Sequence, residues 1–191
     1  MAAVHVRVGM PLSEYLEQGN DNPFEIINGE MIPRLPNPVG HSYLIRLLAR
    51  LFESVAQFGE CFSETTYILP DRYDPNWVTG SRIPDVIFIN AERWSSYIAA
   101  NSDWKEKPLV MVPDLVIEVI SATDRYSKVD EKVDAYLADG VRLIVIVDPF
   151  TRKAVVHTSD AEQPLHLAGD ALLDFSDLIP DFKIPLLTLF E

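Results

Sequence analysis

The stretch that most restricts how this chain can fold is PDLVIEVISATDR, residues 113–125. Leu115, Val116, Ile117, Val119 and Ile120 are side chains of a sheet interior, mostly β-branched. Alternation with period two sends Asp114, Val116, Glu118 and Ile120 to one face, and Leu115, Ile117 and Val119 to the other. A helical stripe follows, carried by Val129, Val133, Tyr136 and Leu137 and stopped by Gly140. After it comes VRLIVIV, a second apolar strand. Strand, helix and strand over residues 115–147 form a right-handed βαβ unit, whose two strands lie parallel. Such a sheet is covered by helices on its faces. Glu118 is the anomaly in this unit. Removing a carboxylate from water costs several kcal/mol unless a cation, a metal ion or a bound substrate offsets it.

The remainder of the chain supplies antiparallel partners. FEIINGEMI has apolar residues on both sides of Asn28-Gly29, a type I′ hairpin signal. A short helix is expected over 11–18. A longer amphipathic one is expected over 41–58, with Leu44, Leu47, Leu48, Leu51 and Val55 on its apolar face and Gly59 as its stop. Residues 62–69 read as one strand, PDRYDPNWVTGS as a long functional loop, and RIPDVIFI as another strand that opens with Asp85. A short helix is expected around 91–98. Thr123 or Asp124 is expected to cap the helix that runs to Asp139, and AVVHT to return antiparallel to VRLIVIV. The fold class is therefore α/β: a mixed sheet flanked by helices.

With 191 residues, 48% of them hydrophobic, the chain is expected to form one domain with a full core. The N-terminus lacks the pattern of a signal peptide, and no apolar run is long enough to cross a bilayer. A single cysteine, Cys61, rules out an intrachain disulfide framework and fits a reducing compartment, so a cytoplasmic protein is expected. The net charge of −13 argues against non-specific nucleic-acid binding, which depends on Lys and Arg contacts to phosphates. Carboxylates gathered around a divalent cation would lessen that objection.

Asp85 at the start of one strand, Glu118 inside the next and Lys132 on the following helix converge on one chemistry. Lys132 sits about 60° from Val129 and about 40° from Tyr136 on the helical wheel, at the edge of the buried stripe. Its stem can lie along the core while the ammonium reaches the sheet. Two carboxylates suit Mg²⁺, which keeps several waters. Metal-activated water and a lysine that orients it are the equipment of a phosphodiesterase.

RIPDVIFI, PDLVIEVIS, KVDEKVDAYLADGV and VDP together resemble the Uma-type putative restriction endonuclease family of the PD-(D/E)XK nuclease superfamily. The resemblance covers nearly the whole chain, from FEIINGE and His41 to LIPDFKIPLLTLF. It implies a restriction-endonuclease-like fold with an N-terminal helix and hairpin added to a catalytic core at about 60–158. It also implies Mg²⁺- or Mn²⁺-dependent hydrolysis of DNA, with Asp85 and Glu118 as metal ligands and Lys132 assisting the water. The superfamily pattern has Glu-x-Lys, whereas here Ile120 stands in the lysine position. The chain is similar to variants in which that lysine has moved to the next helix, where Lys132 holds the matching place. Two smaller departures concern loops: residues 121–123 replace a Ser-Pro-Ser-like turn, and Asp181 precedes Phe182 where Gly is usual.

Glu25 is a candidate third ligand, and equally a surface hairpin charge. His41 either approaches the scissile phosphate or opens its helix in solvent. Asp114 is a further candidate, with backbone donors at the start of the strand as its plain alternative. Glu118 and Lys132 could form a purely structural ion pair, and Asp85 could cap a strand start. Arg125, Lys128 and Lys132 could form a basic strip. Trp77, Trp94 and Trp104 could stack on bases, though packing suits them better. The leading expectation is an endonuclease acting on DNA, as a homodimer if both strands are cut. Its rivals are a non-enzymatic binding protein of the same fold and a hydrolase of small phosphoesters.

Overall fold

A computed structural model describes residues 7–122 and 124–191. The chain opens with β1 (Met10–Pro11), α1 (Leu12–Asp21), β2 (Phe24–Ile27) and β3 (Glu30–Pro33). Asn28 and Gly29 both have positive φ, as a type I′ turn requires. Next come α2 (Val39–Glu53), β4 (Gly59–Ser63), β5 (Tyr67–Asp71), β6 (Asp74–Arg82), β7 (Val86–Asn90) and α3 (Ala91–Ala100). β8 (Leu115–Val119), α4 (Tyr126–Asp139) and β9 (Leu143–Asp148) follow, then β10 (Lys153–Thr158), β11 (Leu165–Ala168), β12 (Leu172–Asp174) and β13 (Lys183–Pro185).

The central sheet runs β11-β10-β9-β8-β7-β4. β8 and β9 are parallel, as the βαβ pattern requires, and every other neighbouring pair in this sheet is antiparallel. Alternation along the strands divides the core as the sequence pattern predicts. Leu115, Ile117 and Val119 join Val86, Phe88 and Val145 beneath Leu44, Leu48 and Phe52 of α2. On the other face, Val116 joins Ile87, Ile144 and Ile146 beneath Val133 and Tyr136 of α4. Each fully buried aliphatic side chain contributes about 1.5–3 kcal/mol, so the sheet with its two covering helices makes a rigid platform. No helix among the described residues is long and apolar enough to cross a membrane.

Four local expectations are corrected. The span 62–69 is not one strand. Glu64 has a φ of 49°, and β4 and β5 on either side of it enter different sheets. Residues 70–81 are not a loop but most of the β5–β6 hairpin. Its prolines are tolerated because a bulge interrupts the pairing at Pro70, and pairing with β1 and β2 carries the strand. The second helix ends at Glu53, and Gly59 is no helix cap. A Cβ there would lie 2.2 Å from the Ile89 carbonyl oxygen, so glycine serves the close approach of β4 to β7. Finally, Asp124 does not cap α4: its carboxylate accepts from the Ser121 N–H at 2.7 Å, and Arg125 takes the cap position with no side-chain bond. Thr123, the other expected cap, lies outside the described residues.

Candidate active site

The antiparallel register of β7 and β8 pairs Val86 with Ile117. Continued by one residue, it sets Asp85 against Glu118, two carboxylates across neighbouring strands at one end of the sheet. A hydrogen bond supports this alignment: the Val119 N–H donates to Asp85 Oδ2 at 2.7 Å. Both acids are buried, Asp85 at 2% and Glu118 at 8% exposure.

Each carboxylate has its own cations. Arg34, from the proline-rich segment after β3, donates to Asp85 Oδ1 at 3.0 Å and also to the Ile83 carbonyl. His41, on the first turns of α2, brings Nε2 to 3.1 Å from Asp85 Oδ2 and 2.8 Å from the Val119 carbonyl. Both neighbours accept, so Nε2 carries a proton; the buried Nδ1 has no partner among the described residues. Lys132, projecting from α4, lies 3.2 and 3.3 Å from the two oxygens of Glu118 and 3.6 Å from Glu25 Oε2. The Tyr136 hydroxyl, one turn farther along α4, donates to Glu118 Oε1. Glu25 is not a surface hairpin charge: it is 4% exposed and its Oε1 accepts from the Ile83 N–H at 2.8 Å.

These groups line one cleft of about 410 Å³, with Glu25, Arg34, His41, Asp85, Glu118 and Lys132 all on its wall. A larger hollow of about 640 Å³ adjoins it, and Arg34, Leu35, Pro36 and Asn37 line both. The smaller cleft carries the converging charges and is the better candidate for chemistry.

Three acids share this small space, and their ionisation diverges. Burial pushes the Glu118 carboxyl up to about 7; Lys132 opposes this, Asp85 and Glu25 reinforce it, and the Tyr136 hydroxyl does not reverse it. Burial also works against ionised Asp85, but His41, the Val119 N–H and Arg34 outweigh it and hold Asp85 below the usual carboxylate range. Burial would lower Lys132, yet Glu118, Glu25 and Asp85 prevail and raise it. The same contest raises His41, where the bond and charge of Asp85 overcome desolvation. Two neighbouring carboxylates driven apart in pKa mark a functional site.

The sequence brings Asp85, Glu118, Lys132, Glu25 and His41 together in the fold, but not Asp114. That residue sits at the far end of β8, about 13 Å away by strand rise. It accepts from the Asn90 N–H at 2.9 Å and from Arg93 at 2.7 Å, and it stays outside the cleft. Of the expected basic strip, Lys128 is exposed and pairs with Glu131 at 2.6 Å. Trp94 packs edge-on against Phe62 and Trp104, and Trp77 lies under Arg7.

Arg34 and the Tyr136 hydroxyl escape sequence reasoning. Tyr136 reads as one more apolar position of α4, and Arg34 as an ordinary loop charge between prolines. A signal for Tyr136 was available in its i,i+4 spacing from Lys132, which sets both over the same carboxylate. For Arg34 there was none. Among the described residues, no group of three or more His, Cys, Asp or Glu side chains is arranged to hold a metal ion. Two opposed carboxylates remain. They are hard donors that suit a cation completing its shell with water and substrate oxygen, and unlike the sulfur- and nitrogen-rich set of a structural zinc.

The chain matches the model of the Uma2 family, described as a putative restriction endonuclease, over residues 12–187. No curated protein sequence matches it. Among solved structures, a putative nuclease from Anabaena variabilis superposes with a TM-score of 0.75 at 19% identity, covering 95% of this chain and 97% of that one. At that identity the likeness speaks for the fold, which is restriction-endonuclease-like. The match to the family model spans nearly the whole chain, and the chain therefore belongs to the Uma2 family of putative restriction endonucleases.

Proposed function

We propose that this protein is a divalent-cation-dependent endonuclease that hydrolyses phosphodiester bonds of DNA. The observation that carries this reading is the opposition of Asp85 and Glu118 across β7 and β8, with Lys132 within hydrogen-bonding distance of Glu118. A Mg²⁺ or Mn²⁺ ion held by Asp85 and Glu118 would supply the Lewis acidity that polarises a phosphodiester and acidifies water. Lys132 then orients the attacking water and screens the charge that develops on the phosphoryl oxygens. Tyr136 fixes the rotamer of Glu118, and His41 fixes that of Asp85. Glu25 keeps Lys132 charged and directed into the cleft. The apolar walls on both faces of the sheet limit bulk water, which strengthens each of these interactions.

Cutting both strands of a duplex takes two such sites, which a homodimer would provide. The test is to titrate Mn²⁺ into metal-free wild-type protein and into Glu118→Ala by calorimetry, then to incubate both with plasmid DNA and the cation. Saturable binding and nicking by the wild type, both lost in the variant, are the expected results. Binding and cleavage that persist in Glu118→Ala would sink the assignment.

A second reading is a non-enzymatic relative that binds a partner through the same fold. It is favoured by the ion pairing of both proposed ligands, Asp85 to Arg34 and Glu118 to Lys132, and by the net charge of −13. Under that reading, neither Mn²⁺ binding nor plasmid cleavage occurs, and the Glu118–Lys132 pair is structural.

A further inference from the structure

Arg34 stands at the junction of the two hollows, where the segment after β3 crosses toward α2. Its side chain is 16% exposed, enough to be reached from solvent without being a free surface group. Two of its bonds point in different directions. Nη1 donates to the Ile83 carbonyl, a backbone group that gains nothing by letting go. Nη2 donates to Asp85 Oδ1 at 3.0 Å, with Glu64 Oε1 at 3.4 Å on its outer side. The guanidinium is thus anchored at one nitrogen and shared between carboxylates at the other.

Asp85 Oδ1 is also the oxygen that a divalent cation between Asp85 and Glu118 would require, because Oδ2 is already committed to the Val119 N–H and to His41. A guanidinium and a divalent cation cannot both sit on that oxygen without strong repulsion. Arg34 is the cation placed to yield. His41 is buried and held by the Val119 carbonyl, and Lys132 is shared between Glu118 and Glu25. The planar fork of a guanidinium is also suited to phosphate oxygens, which it meets through paired donors.

We propose that Arg34 binds a backbone phosphate of the nucleic-acid substrate, and that its transfer from Asp85 to this phosphate opens Oδ1 to the divalent cation. Substrate and cation then bind cooperatively, and each enters more tightly when the other is present. The inference rests on the reading of Asp85 and Glu118 as cation ligands. It adds a residue that touches substrate and an order of events in which the phosphate helps prepare the cation site.

The test uses the full chain and two probes: a short fluorescent DNA duplex in EDTA, followed by anisotropy, and Mn²⁺ alone, followed by calorimetry. Arg34→Gln is expected to weaken duplex binding on the order of tenfold through loss of a charge-assisted bond, and to tighten Mn²⁺ binding without DNA by about the same factor. Opposite signs are the signature, since a merely structural role would weaken both. Arg34→Lys keeps the charge without the fork and is expected to weaken duplex binding about threefold. This variant carries the comparison if Arg34→Gln does not fold. Equal duplex affinity in wild type and variants, no duplex binding by the wild type, or weaker Mn²⁺ binding in Arg34→Gln would each overturn the proposal. A wild type that binds duplex through Arg34 yet takes no Mn²⁺ even on the duplex would defeat the cation reading itself. It would also overturn the cooperative step, and leave only the phosphate contact established.

Discussion

Asp114 lies just before β8 and Glu118 lies inside it, and by the alternation of the strand both point to the same face. Each is more than nine-tenths buried. Asp114 meets one guanidinium, that of Arg93, and one backbone N–H, that of Asn90, so its charge is matched locally and α3 is tied to the sheet. Glu118 instead shares Lys132 with Glu25 and faces Asp85 across the strands. The first arrangement is closed and satisfied. The second has an excess of carboxylate that only an added cation or a bound proton can balance. Burial alone therefore does not distinguish a functional acid from a structural one; the number of acids sharing each cation does.

The largest expected contrast is in activity. Asp85→Asn and Glu118→Gln are expected to lower duplex cleavage by about 10³-fold or more, in line with losing a preorganised electrostatic partner of the transition state. Asp114→Asn should stay within about threefold of wild type. Plasmid nicking assays with Mn²⁺ measure all three. A fall with Asp114→Asn as steep as with Glu118→Gln would erase the distinction between the two ends of β8.

Next is the pH dependence of stability without divalent cations. The folded pKa of Glu118, about 7, lies above its ordinary value of 4.5, so the folded state holds the proton more tightly than the unfolded chain. Its contribution is therefore present below pH ~4.5 and is lost as pH rises toward 7, by ~3 kcal/mol in total. His41, also raised, adds a loss of the same sign above pH 6.5. Asp85, which is lowered, acts with the opposite sign below its ordinary range. Urea unfolding at pH 5, 6, 7 and 8 should show wild-type stability falling through this window and Glu118→Gln nearly flat. An unchanged slope in the variant would show that Glu118 is not the group that takes up the proton.

Tyr136→Phe removes one donor to Glu118 while keeping the ring in the core of the α4 face. Cleavage is expected to fall by about tenfold, with Mn²⁺ affinity reduced by a similar factor, because the carboxylate loses the bond that sets its rotamer. Unchanged Mn²⁺ binding would assign the hydroxyl to stability alone. The smallest effect is expected from Asp114→Asn in thermal or urea unfolding, ~1 kcal/mol, since Arg93 is 40% exposed and solvent screens its half of the pair.

The central unit was legible in the residues because its determinants are local. Period-two alternation identified β8, the stripe through Val133 and Tyr136 identified α4, and an unbroken apolar run identified β9. Asp85, Glu118 and Lys132 stood out because each departs from the pattern of its own element. Less of the outer structure could be read. Pro70, Pro75 and Gly80 disguised the β5–β6 hairpin, because a strand carried by its neighbours needs little propensity of its own. One residue with positive φ, Glu64, turned a single apparent strand into members of two sheets.

What the sequence by itself determined is the parallel βαβ core and the placement of two carboxylates and a lysine on it, since backbone periodicity dictates which side chains share a face. Tertiary structure alone decided the company those carboxylates keep. Arg34, His41 and Glu25 precede Asp85 by 51, 44 and 60 residues and come from a loop, a helix and a different sheet. No local preference encodes their meeting. It follows from long-range packing, which brings β2 and β6 beside the end of the central sheet and seats α2 across it. The charge balance of the cleft is a property of that meeting, and no single segment of the chain contains it.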